Sequence, residues 1–165
     1  MRLRRPSVAR VLAILLFAAS IASIRVAAVA ATPPSALMAR AQAVLSIVAG
    51  KSSADPDALF TTDAFVVDEV PPFRWSGPHA ASQWVAAVKA LLAMEKVTAF
   101  SAESGKPVEY MQSNGSAYLI LPVTLVATTK PKPVRETGTM TYTFVQAGDD
   151  WKISSVVWTT AAISP

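Results

Sequence analysis

Long stretches rich in β-branched and aromatic residues occupy the last third of this chain, between residues 117 and 160. Three such stretches follow one another, separated only by Lys130-Pro131-Lys132 and by residues 146–149. Parallel neighbours need a crossover of about a dozen residues or more, so strands joined this tightly must pair antiparallel. The pattern therefore predicts a three-stranded antiparallel meander within one bent sheet.

The alternation along these strands assigns their faces. In the middle strand the odd positions from 137 to 143 are all threonine, whereas the even positions are Val134, Glu136, Gly138, Met140, Tyr142 and Phe144. Such period-two alternation predicts one buried face and one wetter face. Residues 117–126 are instead apolar on both faces, so both need cover. Trp151 and Trp158 have opposite parity, so at most one points inward if their strand is regular.

A helix, a short helical turn and a small hairpin are predicted ahead of the meander. Apolar residues at helical spacing follow Ser35, a suitable cap, and Gly50 ends this first helix. Asp55-Pro56 predicts the start of a short helix that reaches about residue 61. Residues 64–68 are typical of a strand, and Pro71-Pro72 turn the chain into a short returning strand.

The longest helix is predicted from residue 79 to about residue 94. Its apolar face repeats with the helical period and includes Trp84. Residues 97–111 then form a strand that is interrupted near Ser104-Gly105-Lys106, and Ser113-Asn114-Gly115 is a strong hairpin turn. Because the helices precede the main sheet, we expect an α+β fold with the helices packed on one face, an architecture that usually contains a pocket.

Residues 1–31 have the pattern of an export signal. Basic residues from Arg2 to Arg10 precede an apolar run over residues 11–24, and Ala28-Val29-Ala30 is a suitable cleavage site. A retained membrane anchor is the alternative, but Arg25 limits the run to about 14 residues, short of the ~20 that a spanning helix needs. We therefore predict a periplasmic or secreted protein whose single domain covers residues 32–165 and does not contact the membrane after cleavage.

Charge and cysteine content narrow the function. Five of the 15 basic residues and none of the 11 acidic ones precede residue 32, so the remainder carries a net charge near −1 instead of +4. This balance argues against a nucleic-acid partner. The absence of cysteine excludes disulfides, thiolate catalysis and Cys-ligated metals. With a single histidine, a His-based metal site is not expected either, and we predict no metal and no cofactor.

Several short segments resemble the nuclear-transport-factor-2-like superfamily, and in particular its exported SnoaL-like members. These segments are Leu59-Phe60, Asp63-Ala64, Val67-Asp68, Trp75-Ser76-Gly77, Ala80, Trp84, Trp151-Lys152-Ile153 and Trp158. The resemblance covers roughly residues 35–161. It implies a cystatin-like cone, in which a strongly curved antiparallel sheet packs around the long helix and leaves a cavity at the open end.

The superfamily includes ketosteroid isomerase, polyketide cyclases and scytalone dehydratase. By resemblance, the general-base aspartate of the isomerase corresponds to Asp68. The tyrosine and the protonated acid of its oxyanion hole fall near Ala41 and Met140, neither of which can donate a hydrogen bond. Losing one such donor typically costs ~10²–10³ in rate, so the resemblance argues against steroid-isomerase chemistry. A counterpart of the His–Asp dyad of the dehydratases and cyclases is also missing, because His79 begins the long helix.

Asp68 is the candidate catalytic residue, against the alternative of a solvated carboxylate at a strand end. The candidate ligand-binding residues are large side chains that could line a cavity or simply fill it: Trp75, Trp84, Tyr118, Met140, Tyr142 and Trp158. Tyr118, Met140 and Tyr142 are the ones most expected to face it. His79 is expected to be an exposed residue of the first helical turn.

These observations favour an exported, non-catalytic module that binds a small apolar molecule in an aromatic-lined cavity and forms a homodimer through its sheet. Two alternatives stay open. One is a small isomerase, dehydratase or cyclase in which Asp68 is the general base and Tyr118 or Tyr142 is the acid or orienting group. The other is a structural or protein-interaction domain whose cavity is filled. The enzyme requires Asp68 to face a cavity with a donor across it.

Overall fold

A seven-stranded sheet and two α-helices make up the part of the chain that the computed structural model describes, residues 32–129 and 132–165. The elements are α1 (Ser35–Val48), a 3₁₀ turn (Pro56–Leu59), β1 (Phe60–Val67), β2 (Arg74–Ser76), α2 (Ala80–Met94), β3 (Ala99–Ser104), β4 (Glu109–Ser113), β5 (Ser116–Thr128), β6 (Pro133–Ala147) and β7 (Asp150–Ser164). The predicted export signal, with its cleavage site, lies outside the described residues.

The strands follow the order β2-β1-β7-β6-β5-β3, and β4 also pairs with β5. Strands β5, β6 and β7 form the predicted antiparallel meander. β1 pairs parallel with β7, and all other pairs are antiparallel. β1 begins at Phe60, four residues before the predicted start, because Phe60 pairs with Ile153 of β7. The sequence could not reveal this extension, since β7 follows about ninety residues later.

Both helices bury the predicted apolar face against the sheet. α1 buries its stripe from Leu37 to Val48, and α2 buries Trp84 almost completely. The predicted cap at Ser35 is wrong, since Pro34 occupies the N-cap position and no side chain caps the helix. Asp55 does cap the 3₁₀ turn, where its carboxylate accepts a hydrogen bond from the Asp57 amide at 3.0 Å.

Pro122 explains the predicted interruption at Gly105. β3 and β4 both pair with β5, and the chain between them bends away opposite Pro122. The Pro122 carbonyl accepts a hydrogen bond from the Gly105 amide at 2.9 Å, so the backbone of Pro122 faces the segment between β3 and β4. Proline has no N–H to return a second bond, and the ladder breaks there.

A β-bulge in β7 changes which side chains point inward. Thr143 pairs with Ser155 whereas Phe144 pairs with Ile153, so Ser154 is an extra residue in β7. The parity of β7 reverses at this point, and both Trp151 and Trp158 are buried, at 7% and 6% exposure. The parity rule for a regular strand therefore does not apply here.

Candidate functional site

A largely apolar cavity of about 140 Å³ lies between α2 and the inner face of the sheet. Side chains from α1, α2, β3, β5, β6 and β7 form its wall, among them Val48, Val88, Leu91, Leu125 and Met140. Three carboxylic side chains, Asp68, Glu69 and Glu136, also line it. The cavity is therefore apolar over most of its wall and acidic at one end.

Asp68 lies at this acidic end because β1 stops at Val67 and the chain turns there toward β2. One carboxylate oxygen accepts a hydrogen bond from the indole Nε1 of Trp84 at 2.8 Å, and the other accepts from the Val70 amide at 3.0 Å. Burial raises the pKa of Asp68 above its ordinary value and the charge of Glu69 adds to this, against the two hydrogen bonds. The side chain is oriented by these two hydrogen bonds and lines the cavity.

Glu136 is a second carboxylic side chain that lines the cavity, and it was not among the residues predicted from the sequence. Its Oε1 accepts a hydrogen bond from the indole Nε1 of Trp158 at 3.0 Å and also contacts the hydroxyl of Thr160. Burial raises the pKa of Glu136, and the hydrogen bond and negative charge of Glu69 raise it further, whereas Thr160 and Trp158 oppose the shift. Its even-numbered position on β6, in the row of side chains that faces inward, could have predicted this placement.

The structure brings Trp84, Met140 and Trp158 together with Asp68 around the cavity. The other three candidate aromatics lie elsewhere. Tyr142 is fully buried beyond the cavity, where its ring stacks on Phe144 at 5.8 Å and its hydroxyl points to the Ala41 carbonyl at 3.5 Å. Burial raises the pKa of Tyr142 strongly. It is a core residue and does not line this cavity.

Tyr118 and Trp75 also differ from the prediction. Tyr118 is half-buried on the opposite face of the sheet, in a shallow groove next to Thr143 and Ser154. It pairs with Thr143, and alternation along β5 turns it away from the helices. Trp75 is buried on β2 opposite Val66 but does not line the cavity. Neither Tyr118 nor Tyr142 can therefore serve as an acid across from Asp68.

A candidate oxyanion-hole donor lies four residues from the position that the resemblance indicates. Ala41 is fully buried and Met140 lines the cavity, so neither position supplies a donor. Glu136 lies four residues before Met140 on the same strand and the same face, and its pKa is raised. A protonated Glu136 is the group that could donate a hydrogen bond toward the space next to Asp68.

The single histidine belongs to a separate polar cluster at the start of α2. The carboxylate of Asp57 accepts hydrogen bonds from the Ser82 amide at 2.9 Å and the Ser82 hydroxyl at 2.7 Å, and it contacts His79 Nδ1 at 3.1 Å. Because Asp57 stands between the serine and the histidine, His79 cannot accept the Ser82 proton. This arrangement caps the helix and does not form a catalytic triad.

Within residues 32–129 and 132–165, no three His, Asp or Glu side chains are placed to hold a metal ion together. In that same portion of the chain, neither helix is long and apolar enough to span a membrane.

No protein-family model matches this sequence, and no curated protein matches it. Solved structures do match. A hexachlorocyclohexane dehydrochlorinase, LinA type 2, superposes with a TM-score of 0.67 at 13% identity over 79% of this chain and 86% of the other. The protein has the fold of these structures, which is described as cystatin-like for one of them. The predicted α+β architecture is thereby confirmed.

Two more solved structures share this fold. A protein with a cystatin-like fold from Caulobacter vibrioides has a TM-score of 0.60 at 20% identity over 78% of this chain and 89% of its own. A scytalone dehydratase-like protein from Novosphingobium aromaticivorans has a TM-score of 0.64 at 15% identity over 79% of this chain and 85% of its own. At such identities the likeness concerns the fold.

Proposed function

We propose that this protein binds a small, largely apolar molecule in the cavity next to Asp68, without transforming it. The observation that carries the proposal is an apolar space of about 140 Å³ that ends in three carboxyl groups. An apolar cavity of about 150 Å³ is large enough to hold benzene. The expected ligand is therefore about the size of one ring.

The acidic end sets the polarity of that ligand. Trp84 and the Val70 amide already occupy one lone pair on each oxygen of Asp68, and a carboxylate has further lone pairs to offer. A hydroxyl group on an otherwise apolar ring donates to one of these lone pairs, and the apolar wall supplies most of the affinity.

Native mass spectrometry of the purified protein tests for a retained ligand, and benzene is a defined probe of the cavity. Benzene is expected to raise the melting temperature of the wild type, since a ligand that binds only the folded state stabilises it. Ala127→Trp, which fills the cavity from β5, should abolish this shift. Ala162→Trp changes an exposed position of β7 away from the cavity and should preserve it. An unchanged wild-type melting temperature at saturating benzene would contradict the proposal.

An acid–base enzyme is the second candidate, because Asp68 faces the cavity with a raised pKa and Glu136 lies on the wall as a potential donor. Named enzymes with this fold include a dehydrochlorinase and a dehydratase-like protein. The two candidates separate on Asp68→Asn. A binding module keeps its ligand in this variant, whereas an enzyme of the isomerase, dehydratase or cyclase type loses turnover of its substrate and keeps binding it.

We further propose a homodimer formed through the outer face of the sheet. This face carries half-buried, uncharged side chains on adjacent strands, including Tyr118, Ile120, Thr141 and Val157. The middle of this face is uncharged and suited to contact with a second copy, whereas charged side chains such as Glu103, Arg135 and Lys152 lie toward its edges. Light scattering should give a dimer mass for the wild type and a monomer mass for Ile120→Lys. Val108→Lys, at an exposed position outside this face, is the matched control, and a monomeric wild type would refute the dimer.

Export to the periplasm or the medium completes the proposal, on the strength of the basic and apolar pattern in residues 1–31. Fractionation of cells that express the full chain, with N-terminal sequencing of the product, tests it. A product that retains residues 1–31 in the membrane fraction would instead support an anchor. If benzene binding fails but the dimer forms, the structural or protein-interaction role becomes the better explanation.

A further inference from the structure

The acidic end of the cavity includes a solvent-exposed side chain, Glu69. Glu69 is exposed and lies in the loop of residues 68–73, which joins β1 to β2, yet it lines the cavity. Its Oε2 lies 2.7 Å from the hydroxyl oxygen of Thr160 on β7. The same hydroxyl contacts Oε1 of Glu136 on β6. Glu69 thus connects the 68–73 loop to two strands of the sheet.

When both glutamates are ionised, the contact has too few hydrogen atoms for Thr160 to be hydrogen-bonded to both. Thr160 has one hydroxyl hydrogen, and it can be donated to one carboxylate only. The indole of Trp158 donates toward Glu136 and toward the Thr160 oxygen, at 3.0 Å in each case, but it does not reach Glu69. Holding both carboxyls on Thr160 therefore requires one additional proton, and Glu136, whose pKa burial raises, is the group that carries it.

Among residues 32–129 and 132–165, no cationic side chain lies on the cavity wall to replace that proton. The ionisable residues around the cavity are Asp68, Glu69 and Glu136, and within the described chain no lysine, arginine or histidine lines it. Asp68 on the same loop adds negative charge and makes its own bonds to Trp84 and Val70. Two ionised glutamates at hydrogen-bonding distance repel each other, and this repulsion favours separation of the exposed one.

We propose that Glu69, Glu136 and Thr160 form a proton-dependent latch that holds the 68–73 loop against the sheet at the acidic end of the cavity. With one shared proton the latch is closed and a ligand exchanges slowly. When both carboxyls are ionised, Glu69 leaves Thr160 and the loop opens. The ligand-gating part of this inference rests on the proposed binding function, whereas the proton-dependent contact itself does not.

Two nuclear magnetic resonance measurements test the latch. The indole N–H resonance of Trp158 should shift with pH, with a midpoint above the 4.5 that is ordinary for glutamate, because the bonding of its acceptors changes. The resonance of Trp84 reports on Asp68 separately. The dissociation rate of benzene should rise about tenfold across the same transition, since a hydrogen bond involving a charged group is lost.

Three variants sharpen the test. Glu69→Gln keeps an N–H donor at every pH, so benzene should dissociate slowly throughout. Glu69→Ala has no side-chain bond to Thr160, so dissociation should be fast throughout. Glu109→Gln changes an exposed carboxylate on β4, away from the cavity, and should behave as the wild type.

Each outcome decides between the two proposals. A Trp158 resonance that does not titrate, or a Glu69→Ala variant with wild-type pH dependence, overturns the latch. Benzene that binds with a pH-independent dissociation rate also overturns the latch and leaves the binding function intact. A titrating Trp158 resonance without benzene binding sustains the proton-dependent contact and refutes the binding function.

Discussion

Gly138→Ala is expected to destabilise the protein through a steric clash between β6 and β7. A Cβ atom at Gly138 would lie 2.3 Å from the carbonyl oxygen of Thr159 and 2.7 Å from the ring of Trp158. The first contact is with backbone, so it cannot be relieved by rotating a side chain. β6 and β7 would have to separate, or Trp158 would have to leave its position.

The magnitude follows from two contributions. Overpacking a well-filled core typically costs about 1–3 kcal/mol. Displacing Trp158 also breaks its hydrogen bond to Glu136, and bonds to charged groups contribute about 1.5–3 kcal/mol, although partial relaxation will recover some of this. We expect a loss of about 2–4 kcal/mol in the free energy of unfolding. For a domain of this size, each kcal/mol lowers the melting temperature by about 3 °C.

Urea unfolding followed by tryptophan fluorescence and circular dichroism measures this loss. Gly105→Ala is the matched control, because a Cβ there would meet Pro122 at an ordinary 3.6 Å. Alanine at a compatible glycine position stabilises by about 0.4–1 kcal/mol through the unfolded state. If the two variants differ by less than about 0.5 kcal/mol, the proposed close packing of Trp158 on β6 is wrong.

Three further outcomes are expected. Asp57→Ala should lower the unfolding free energy by about 1–2 kcal/mol in urea titrations, since it removes the cap of α2. Burial alone would raise the pKa of Asp57, but the Ser82 hydrogen bonds and His79 lower it. The stabilisation by ionised Asp57 is thus fully present above 3.8, the ordinary pKa of aspartate. Unfolding free energies measured over a range of acid pH should show its loss as pH falls through the folded-state pKa of Asp57. Tyr142→Phe should cost less than about 1 kcal/mol in thermal melts, because the hydroxyl bond to Ala41 is long at 3.5 Å. The pKa of Asp68 is raised in the folded state. Its contribution to the free energy of unfolding is therefore fully present below 3.8, the ordinary pKa of aspartate, and is lost as pH rises through the folded-state pKa. Asp68→Asn, measured by urea unfolding at several pH values, should therefore become progressively more stable than the wild type over that rise.

Sequence alone determined the fold, because its signals are local. Strand alternation, the apolar face of α2, the turn at Asn114-Gly115 and the short links of the meander each follow from neighbouring residues. Together they allow one curved sheet with helices on one face. The same local patterns placed Asp68 at a strand end and Met140 on the inner face, and both line the cavity.

Tertiary structure decided which inward side chains reach the cavity and which belong to the core. Tyr142 and Met140 share one face of β6, yet only Met140 reaches the cavity, because the cavity occupies one end of the sheet. The bulge at Ser154 placed Trp158 on the inner face, and register in β7 depends on pairing with distant strands. The meeting of Glu69, Glu136 and Thr160 joins residues up to 91 positions apart. Such contacts arise only when distant strands pair in the sheet, so no local pattern in the chain encodes them.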